Sequence, residues 1–462
     1  MTHPAPDHAF ARTMLEEALQ LQEAGNLAAA EPRYRMVVEQ GYRVLEVLPI
    51  LACLVALRGA DDEALALWDA VLALSPDHAV AHHERGLIHA RAGRFEPAIA
   101  ALRASCAADP TDPVVANNLA VTLADAGRKS EALEQFARAL ALNPGNIHIE
   151  HQIRRLSAEM VPFWHVPMLN DTRRNDAFEA AIRAALAKAG PDARVLDIGT
   201  GSGLLAMMAA RAGARHVTAC EMVPIIAAMA RRIIADNGYD RQIAVHTLAS
   251  SELSVGEHLD EPADILVSEI LSSDLLTERV LDTFEDAHAR LLKPGAIVIP
   301  RAAAAIGCLV ESATLADYVF VQEVSGFDVA RFGALAAPKL PIHGTMTDWK
   351  RLSEDVELLR VDLTARAHPS DLQLLSIRVT ADGIAAGIVQ WMQVDLAEGI
   401  TFDNHPDGYT DGGWLQVLHA FPAPLAVRAG DVLHLAVGHD RVTLIIRPLE
   451  VASAFAARAQ VA

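Results

Sequence analysis

The sequence predicts a multidomain fold, in which an all-α repeat array is followed by a parallel α/β domain and then by an antiparallel β domain. Small residues recur every 34 residues through the first third of the 462-residue chain. From Arg194, short apolar runs alternate with helical stretches, which is typical of a parallel sheet. After Pro300 the pattern changes to short alternating β segments. We predict domains at residues 8–150, 160–300 and 301–462.

The 34-residue repeat has the same landmarks in each unit. A turn glycine is followed five residues later by an alanine, and a large residue comes four positions after that. These residues are Gly25, Gly59, Gly93 and Gly127; Ala30, Ala64, Ala98 and Ala132; and Tyr34, Trp68, Leu102 and Phe136. The period and pattern are similar to tetratricopeptide repeats, in which each unit is a helix–turn–helix. We expect a solenoid closed by a capping helix over Ile147–Met160, with a groove that binds a partner protein. A spacer or a dimer contact is the alternative.

The middle region predicts a doubly wound parallel sheet. Its expected strands are Arg194–Ile198, Arg215–Glu221, Gln242–Thr247, Asp264–Ser268 and Ala296–Pro300, and its expected helices include Leu204–Ala212 and Ile225–Asn237. In such sheets a ligand binds at the carboxyl ends of the strands. The site is therefore expected in the loops that follow these strands.

Composition limits the classes of partner. The net charge of −20 disfavours nucleic acid and suits attraction of a basic protein or peptide, although acidity also serves solubility alone. The four cysteines are scattered, which argues against a disulfide framework and against a metal site. The sequence shows neither a signal peptide nor an apolar run that could span a membrane. We expect a cytoplasmic protein without a metal or a membrane partner.

A glycine turn over residues 197–203, Asp-Ile-Gly-Thr-Gly-Ser-Gly, follows the first predicted strand. Dinucleotide-binding loops need a small residue at the position that Leu204 occupies, so that the backbone can approach a pyrophosphate. S-adenosylmethionine has no phosphate and escapes that restriction. We therefore expect the turn at Gly199 and Gly201 to bind this donor, with Asp197 near its amino group.

Two further acids are expected at the donor. Glu221 ends the second strand, where it can accept hydrogen bonds from both ribose hydroxyls. Glu252 follows the third strand, near the expected position of the adenine amino group.

Two more acids, Glu269 and Glu278, lie nine residues apart and follow the fourth strand. Two carboxylates can grip two edges of a planar guanidinium. The pair therefore favours arginine as the methyl acceptor.

These motifs resemble the protein arginine methyltransferase family, over about residues 160–450. The similar stretches are Val195–Leu205, Met168–Arg174, Ser268–Glu278 and Leu292–Pro300. The resemblance implies a Rossmann-like class I methyltransferase domain, a β barrel and an arginine-containing protein substrate clamped by Glu269 and Glu278. It also implies that Arg174 binds the donor carboxylate and that Met168 lies near the acceptor. A homodimer formed through an arm, which we place at Ser325–Thr345, is implied as well. Residues 251–256 and 286–288 are similar to the monomethylating and tetratricopeptide-bearing members.

The chain departs from this family in one loop, which usually reads Thr-His-Trp. The best counterpart is residues 411–416, Asp-Gly-Gly-Trp-Leu-Gln, with Gly413 in the place of the histidine and Trp414 expected at the substrate. Residues 389–391 are a weaker counterpart, and His439-Asp440 is a substitute only if it is more than a structural turn. Neither counterpart loop supplies an imidazole that could accept a proton.

Two other functions are compatible with the sequence. A methyltransferase of small molecules would have the two glutamates merely lining a loop, and would need no β domain beside its site. A catalytically inactive tetratricopeptide scaffold would have no physical need of the donor residues or of the paired acids.

Overall fold

The structure is a computed structural model that describes residues 7–342, 348–408 and 412–452. The chain forms two compact units, residues 1–160 and 161–462. The three predicted domain boundaries remain a prediction, because the α/β and antiparallel regions belong to the same unit.

The first unit is a helical array, as predicted. Its helices, within the described residues, are α1 (His8–Glu23), α2 (Leu27–Glu39), α3 (Val44–Leu57), α4 (Asp61–Leu74), α5 (Ala79–Arg91), α6 (Phe95–Ala108), α7 (Pro113–Asp125), α8 (Lys129–Leu142) and α9 (Ile147–Met160). The four predicted turn glycines have φ between 69° and 82°, a region that favours glycine. The four predicted large residues are at most 1% exposed. The repeat landmarks therefore form the turns and the core between helices.

The second unit begins with short α10 (His165–Asn170) and α11 (Thr172–Ala189), and continues into a parallel sheet. The sheet consists of β1 (Arg194–Ile198), β2 (His216–Cys220), β3 (Ile243–His246), β4 (Ala263–Ser268) and β5 (Leu292–Ile299), in the order β3-β2-β1-β4-β5. The helices between these strands are α12 (Leu204–Arg211), α13 (Pro224–Asp236) and α14 (Val280–Arg290). The predicted parallel α/β architecture is confirmed.

Antiparallel strands follow, as predicted. They are β6 (Ala302–Glu311), β7 (Glu323–Val324), β8 (Phe327–Asp328), β9 (Lys339–Ile342), β10 (Lys350–Arg351), β11 (Val356–Asp362), β12 (Asp371–Arg378), β13 (Gly383–Ala397), β14 (Ile400–Asp403), β15 (Gln416–Val427), β16 (Val432–His439) and β17 (Leu444–Ala452), with α15 (Ala313–Val319) after β6. The larger sheet has the path β10-β6-β13-β15-β9, and a smaller one has the order β12-β16-β17. The last part of the predicted arm, residues 343–345, lies outside the described residues.

One hydrophobic core joins the parallel and antiparallel regions. Phe284 of α14, Ile299 of β5, Leu309 of β6, Met392 of β13 and Leu435 of β16 belong to the same buried cluster. The antiparallel sheets therefore pack directly against the α/β region. Within the described residues, no helix has both the length and the apolar character needed to cross a membrane.

Candidate functional site

The register of the parallel sheet brings the predicted site residues to one edge. Ile198, the last residue of β1, lies opposite Cys220 of β2 and Ser268 of β4. Parallel strands end at the same edge, so the residues that follow these three emerge side by side. In this way the sheet brings together the glycine turn, Glu221 and Glu269.

The glycine turn has a conformation that other residues rarely adopt. Gly199, Gly201 and Gly203 have φ values of 73°, 55° and 83°. A Cβ at Gly199 would lie 2.6 Å from Ile270 Cγ2, and one at Gly203 would lie 2.8 Å from Ile234 Cδ1. The turn therefore needs glycine both for its backbone and for close packing.

Asp197, at the start of this turn, is a fully buried acid. Its Oδ2 accepts a 2.6 Å hydrogen bond from Thr200 Oγ1, whereas Oδ1 has no hydrogen-bond partner among the described residues. Burial raises the pKa of Asp197 to about 7. A buried carboxyl with one oxygen unpartnered suits a ligand that brings its own donor or positive charge.

Glu221 is also buried and is oriented by the backbone. One oxygen accepts from Gly201 N at 3.2 Å and the other from Val223 N at 2.9 Å. Each oxygen keeps a lone pair for a hydroxyl. Glu252 is exposed and accepts from Ala249 N at 3.0 Å within its own short turn. Its contact with an adenine amino group remains a prediction.

The donor residues therefore fit S-adenosylmethionine. The unpartnered oxygen of buried Asp197 suits the cationic amino group, and the backbone-held carboxylate of Glu221 suits two hydroxyls. From Gly199 to Gly203 the turn carries only the side chains of Thr200 and Ser202. A Cβ at Gly201 would meet no atom within 4 Å, so there is open space for a small ligand against the backbone at this residue.

Arg174 and Glu269 form an ion pair that the sequence analysis did not predict. Arg174 Nη1 donates to Glu269 Oε2 at 2.8 Å, and the side chains are only 4% and 6% exposed. Asp171 caps helix α11 by accepting from Arg174 N at 3.0 Å, and Arg174 Nη2 donates to Asn175 Oδ1 at 3.1 Å. The guanidinium carbon also lies 5.7 Å from the ring centroid of Trp414. These contacts hold both terminal nitrogens of Arg174.

This buried pair is only partly satisfied. Glu269 Oε1 and Arg174 Nε have no hydrogen-bond partner among the described residues. Burial raises the pKa of Glu269 to about 7; the positive charge of Arg174 opposes this shift, and the negative charge of Glu278 adds to it. A buried acceptor without a donor is costly unless a ligand supplies one. The free oxygen of Glu269 is therefore suited to an acceptor N–H.

The loop of residues 269–278, here called the double-glutamate loop, carries the second predicted acid at its outer end. Glu278 is exposed as a residue, but its carboxyl group is partly desolvated. Partial burial raises the pKa of Glu278, and the nearby charges of Glu221 and Asp274 raise it further. The structure thus gathers Glu269, Glu278 and Glu221 into one acidic neighbourhood.

The antiparallel sheets hold this loop from the side. Trp414 Nε1 donates to Leu271 O at 2.9 Å, and the indole is buried. Ser273 is held twice, because Leu415 N donates to its Oγ at 3.0 Å and Gln390 Nε2 donates to its carbonyl at 3.3 Å. Trp414 therefore supports the loop from beneath; contact between Trp414 and a substrate remains a prediction.

Gly413 and Met168 meet beside this loop. A Cβ at Gly413 would lie 2.3 Å from Met168 Cγ and 2.6 Å from Met168 Cα. At Gly413, where the resemblance implies a histidine, Met168 of helix α10 occupies the space that a side chain would need. Asp411, the first residue of the predicted counterpart loop, lies outside the described residues.

The other candidates for that histidine have structural surroundings. His439 Nδ1 accepts from Arg441 N at 3.1 Å, and Asp440 accepts from Val442 N and Thr443 N in the turn between β16 and β17. The rings of Trp391 and His405 meet edge to face, with their centroids 4.7 Å apart. Among the described residues, no group of three or more His, Cys, Asp and Glu side chains is placed to hold a metal ion.

Family models match both units. Residues 180–301 match the model described as Ribosomal protein L11 methyltransferase (PrmA). Residues 62–113 and 113–146 match two models described as Tetratricopeptide repeat. The repeats predicted from the 34-residue period are therefore confirmed.

Several curated relatives are similar to the chain. Arginine N(omega)-methyltransferase of Streptomyces achromogenes subsp. streptozoticus is 36% identical over 313 residues, which are 67% of this chain and 86% of the relative. Protein arginine N-methyltransferase 7 of Oryza sativa subsp. indica is 34% identical, over 52% of this chain and 36% of the relative. Its counterpart in Drosophila ananassae is 28% identical, over 60% and 46% respectively. The chain thus spans most of the first relative but less than half of the other two.

Solved structures share the fold. The Trypanosoma brucei PRMT1 enzyme–prozyme heterotetrameric complex with AdoHcy superposes with a TM-score of 0.54 and 23% identity, over 63% of this chain and 94% of that chain. Arabidopsis thaliana Protein Arginine Methyltransferase 10 gives 0.50 and 22%, over 61% and 88%. At these identities the likeness shows the fold alone.

Proposed function

The chain belongs to the protein arginine methyltransferase family and is an S-adenosylmethionine-dependent enzyme, and from this premise we propose that it methylates a guanidinium nitrogen of arginine within a protein or peptide. The observation that carries the proposal is the double-glutamate loop, where Glu269 keeps one buried oxygen without a partner beside a second acid, Glu278. A planar guanidinium can donate to both acids at once.

The chemistry requires two cations to meet, since bound S-adenosylmethionine supplies the methyl group as a sulfonium and arginine is protonated at neutral pH. In a partly desolvated site, like charges a few ångströms apart repel by several kcal/mol, even at an effective dielectric of ~20. Glu269 and Glu278 offset this repulsion and hold one nitrogen in line with the donor, so that positioning supplies much of the rate.

We propose that the two oxygens of Glu269 have different roles. Oε2 is held by Arg174 at 2.8 Å, which fixes the carboxylate plane, and Oε1 remains for the acceptor. A pKa of about 7 makes Glu269 a better proton acceptor than an ordinary carboxylate. We therefore assign Glu269 as the first acceptor of the proton that leaves the guanidinium. In addition to its contact with Glu269, we propose that Arg174 binds the carboxylate group of S-adenosylmethionine.

Neutral isosteres test the clamp. Glu269→Gln and Glu278→Gln should each lower kcat/KM by about two orders of magnitude, because each removes a charge-assisted contact of ~3 kcal/mol. Methyl transfer to an arginine peptide is measured with labelled donor, and donor affinity is measured by calorimetry. Glu278→Gln should leave donor affinity nearly unchanged. Exposed Glu398 provides the matched control Glu398→Gln. Near-normal activity in both loop variants would refute the clamp.

Free arginine is a second candidate acceptor. The Streptomyces relative, of which the chain covers 86%, is named for arginine rather than for protein arginine. Kinetics with free L-arginine, an arginine peptide and the same peptide carrying lysine separate the two. A kcat/KM that is higher for the peptide supports the protein substrate, and one that is higher for L-arginine supports the free amino acid. Equal methylation of lysine would contradict arginine specificity altogether, because lysine lacks the planar fork.

The remaining proposals concern location and assembly. We propose a cytoplasmic enzyme, since the described cysteines are all free thiols, as in a reducing compartment. We propose that the tetratricopeptide groove recruits a protein partner or substrate. We also propose a homodimer, because large apolar side chains are exposed in and near the predicted arm. They are Tyr318, Val324, Phe327, Phe332 and Leu335.

A further inference from the structure

We infer that Lys339 of β9 is a positioning residue of the double-glutamate loop. It acts through Asp274, whose carboxylate is the third negative charge of the loop beside Glu269 and Glu278: it fixes the loop and offsets this charge. The inference rests on the proposed clamp, since it explains how Glu278 is held and kept ionised. The contact joins the antiparallel region to Asp274, which lies in the chain between the two clamp acids, Glu269 and Glu278.

Asp274 is the centre of the loop's internal hydrogen bonds. Its Oδ1 accepts from Ser272 Oγ at 2.8 Å and also from Thr277 Oγ1. Thr277 N in turn donates to Ser272 Oγ at 3.1 Å. Asp274 thus closes the turn that leads from the buried acid, Glu269, to the outer acid, Glu278.

Lys339 connects this centre to the antiparallel sheet. Its Nζ donates to Asp274 Oδ2 at 2.9 Å, with the two side chains 26% and 15% exposed. Lys339 is the first residue of β9 and is paired in register with His419 of β15. The charged end of the lysine is therefore anchored on a strand rather than on a loop.

The loop needs such support because its backbone is strained. Leu275, next to Asp274, has φ of 82°. A left-handed conformation is unfavourable for a leucine, and it persists only where the surroundings enforce it. The bonds to Leu271 and Ser273 hold the N-terminal side of the loop, and Lys339 holds the residue just before the strained one.

Charge gives Lys339 a second role. The negative charges near Glu278 are those of Glu221 and Asp274, and Glu269, which is itself paired with Arg174. Arg279, the next residue, is paired with Asp282. Lys339 offsets the charge of Asp274 directly. Its strand neighbour His419 adds no charge, because burial, followed by the charge of Lys339, lowers the pKa of His419 to about 3.

Opposite substitutions should therefore shift the acid limb of the pH–rate profile in opposite directions. In Lys339→Met the charge of Asp274 is no longer offset, the pKa of Glu278 rises, and the acid limb moves to higher pH. In Asp274→Asn a negative charge is lost beside Glu278, its pKa falls, and the acid limb moves to lower pH. The double variant should place the limb between the two. A purely structural role for Lys339 would not produce this order.

The experiment measures kcat, KM and the acid limb on an arginine peptide, and donor Kd by calorimetry, for the full-length chain. Lys339→Met should lower kcat about ten- to a hundredfold, as misplacement of a reacting group does, with donor Kd unchanged. Lys339→Arg keeps the charge and should restore most of kcat. Lys350→Met removes an exposed lysine of another strand and is the matched control.

The outcomes separate this inference from the clamp. If Glu278→Gln is inactive while Lys339→Met keeps its kcat and acid limb, the inference is overturned and the clamp stands. If Glu278→Gln is fully active, the clamp itself fails. Should Lys339→Met not fold, the acid limb of Asp274→Asn decides, because an unchanged or upward-shifted limb there also overturns the inference.

Discussion

Gly413 shows how a single residue can exclude a family feature. The resembled family places a histidine in this loop, but here the Cα and Cγ of Met168 lie where a side chain would begin. No rotamer relieves a clash with a backbone atom at 2.6 Å. The absence of the histidine and the close approach of helix α10 are therefore one structural fact. We propose that the proton leaves to Glu269 instead, because burial raises the pKa of this acid to about 7.

This predicts the effect of restoring bulk. Gly413→Ala should lower the stability of the second unit by about 1–3 kcal/mol, as overpacking does, and should lower activity by displacing Met168 and its helix. Gly413→His should be worse rather than better. Thermal unfolding and peptide methylation are the measurements. Gly408→Ala is the control, because a Cβ added at Gly408 would meet no atom within 4 Å. A more active Gly413→His variant would contradict the packing argument.

At the scale of elements, the sequence predicted what local periodicity determines. The capping helix was predicted at Ile147–Met160 and has those bounds. The first strand was predicted at Arg194–Ile198 and is also found there. The fifth was predicted from Ala296 but begins at Leu292, because Lys293, Pro294 and Gly295 gave no apolar pattern to extend it. Repeated units and buried strands place the same types of residue at regular intervals, so spacing alone is enough to predict them.

The contacts that complete the site could not be predicted from the spacing of residues in the sequence. Arg174 and Glu269 are 95 residues apart, and Lys339 and Asp274 are 65 apart. The sequence identified Arg174 and Glu269 separately, but no periodicity links one to the other. Lys339 had no signal at all, because a lysine at the start of a β strand is common. The first pair depends on how helix α11 packs against the parallel sheet, and the second on how strand β9 meets the double-glutamate loop.

The helical repeats lead to a prediction at the same scale. Residues 1–160 and 161–462 are separate compact units, so deletion of residues 1–160 should spare donor binding. If the groove recruits substrate, methylation of a protein substrate should fall much more than that of a short arginine peptide, because tethering raises the local concentration of the acceptor.

Calorimetry with the donor and parallel assays on the two substrates test this deletion. The full-length chain carrying the exposed substitution Leu74→Ala serves as a control for the repeats. If activity falls equally on both substrates, and residues 161–462 melt at a lower temperature alone than in the full-length chain, the repeats support the enzyme structurally instead.

At the scale of the whole molecule, the exposed apolar segment of residues 318–335 is where we propose that the homodimer contact lies. Phe327, Phe332 and Leu335 are 71%, 68% and 77% exposed, and large side chains clustered in this way mark interaction sites. We expect a homodimer in solution at micromolar concentration. Burial of each phenylalanine contributes about 1.5–3 kcal/mol, so Phe327→Glu/Phe332→Glu should weaken dimerisation by at least about a hundredfold.

Sedimentation equilibrium of the full-length chain measures the effect on assembly. Leu57→Glu, which places the same charge at a leucine 74% exposed in the helical repeats, should leave the dimer intact if residues 318–335 form the contact. Monomeric wild type, or a dimer that survives the double substitution, would contradict this role. A dimer lost only in Leu57→Glu would instead assign the contact to the repeats, the alternative that the 34-residue pattern leaves open.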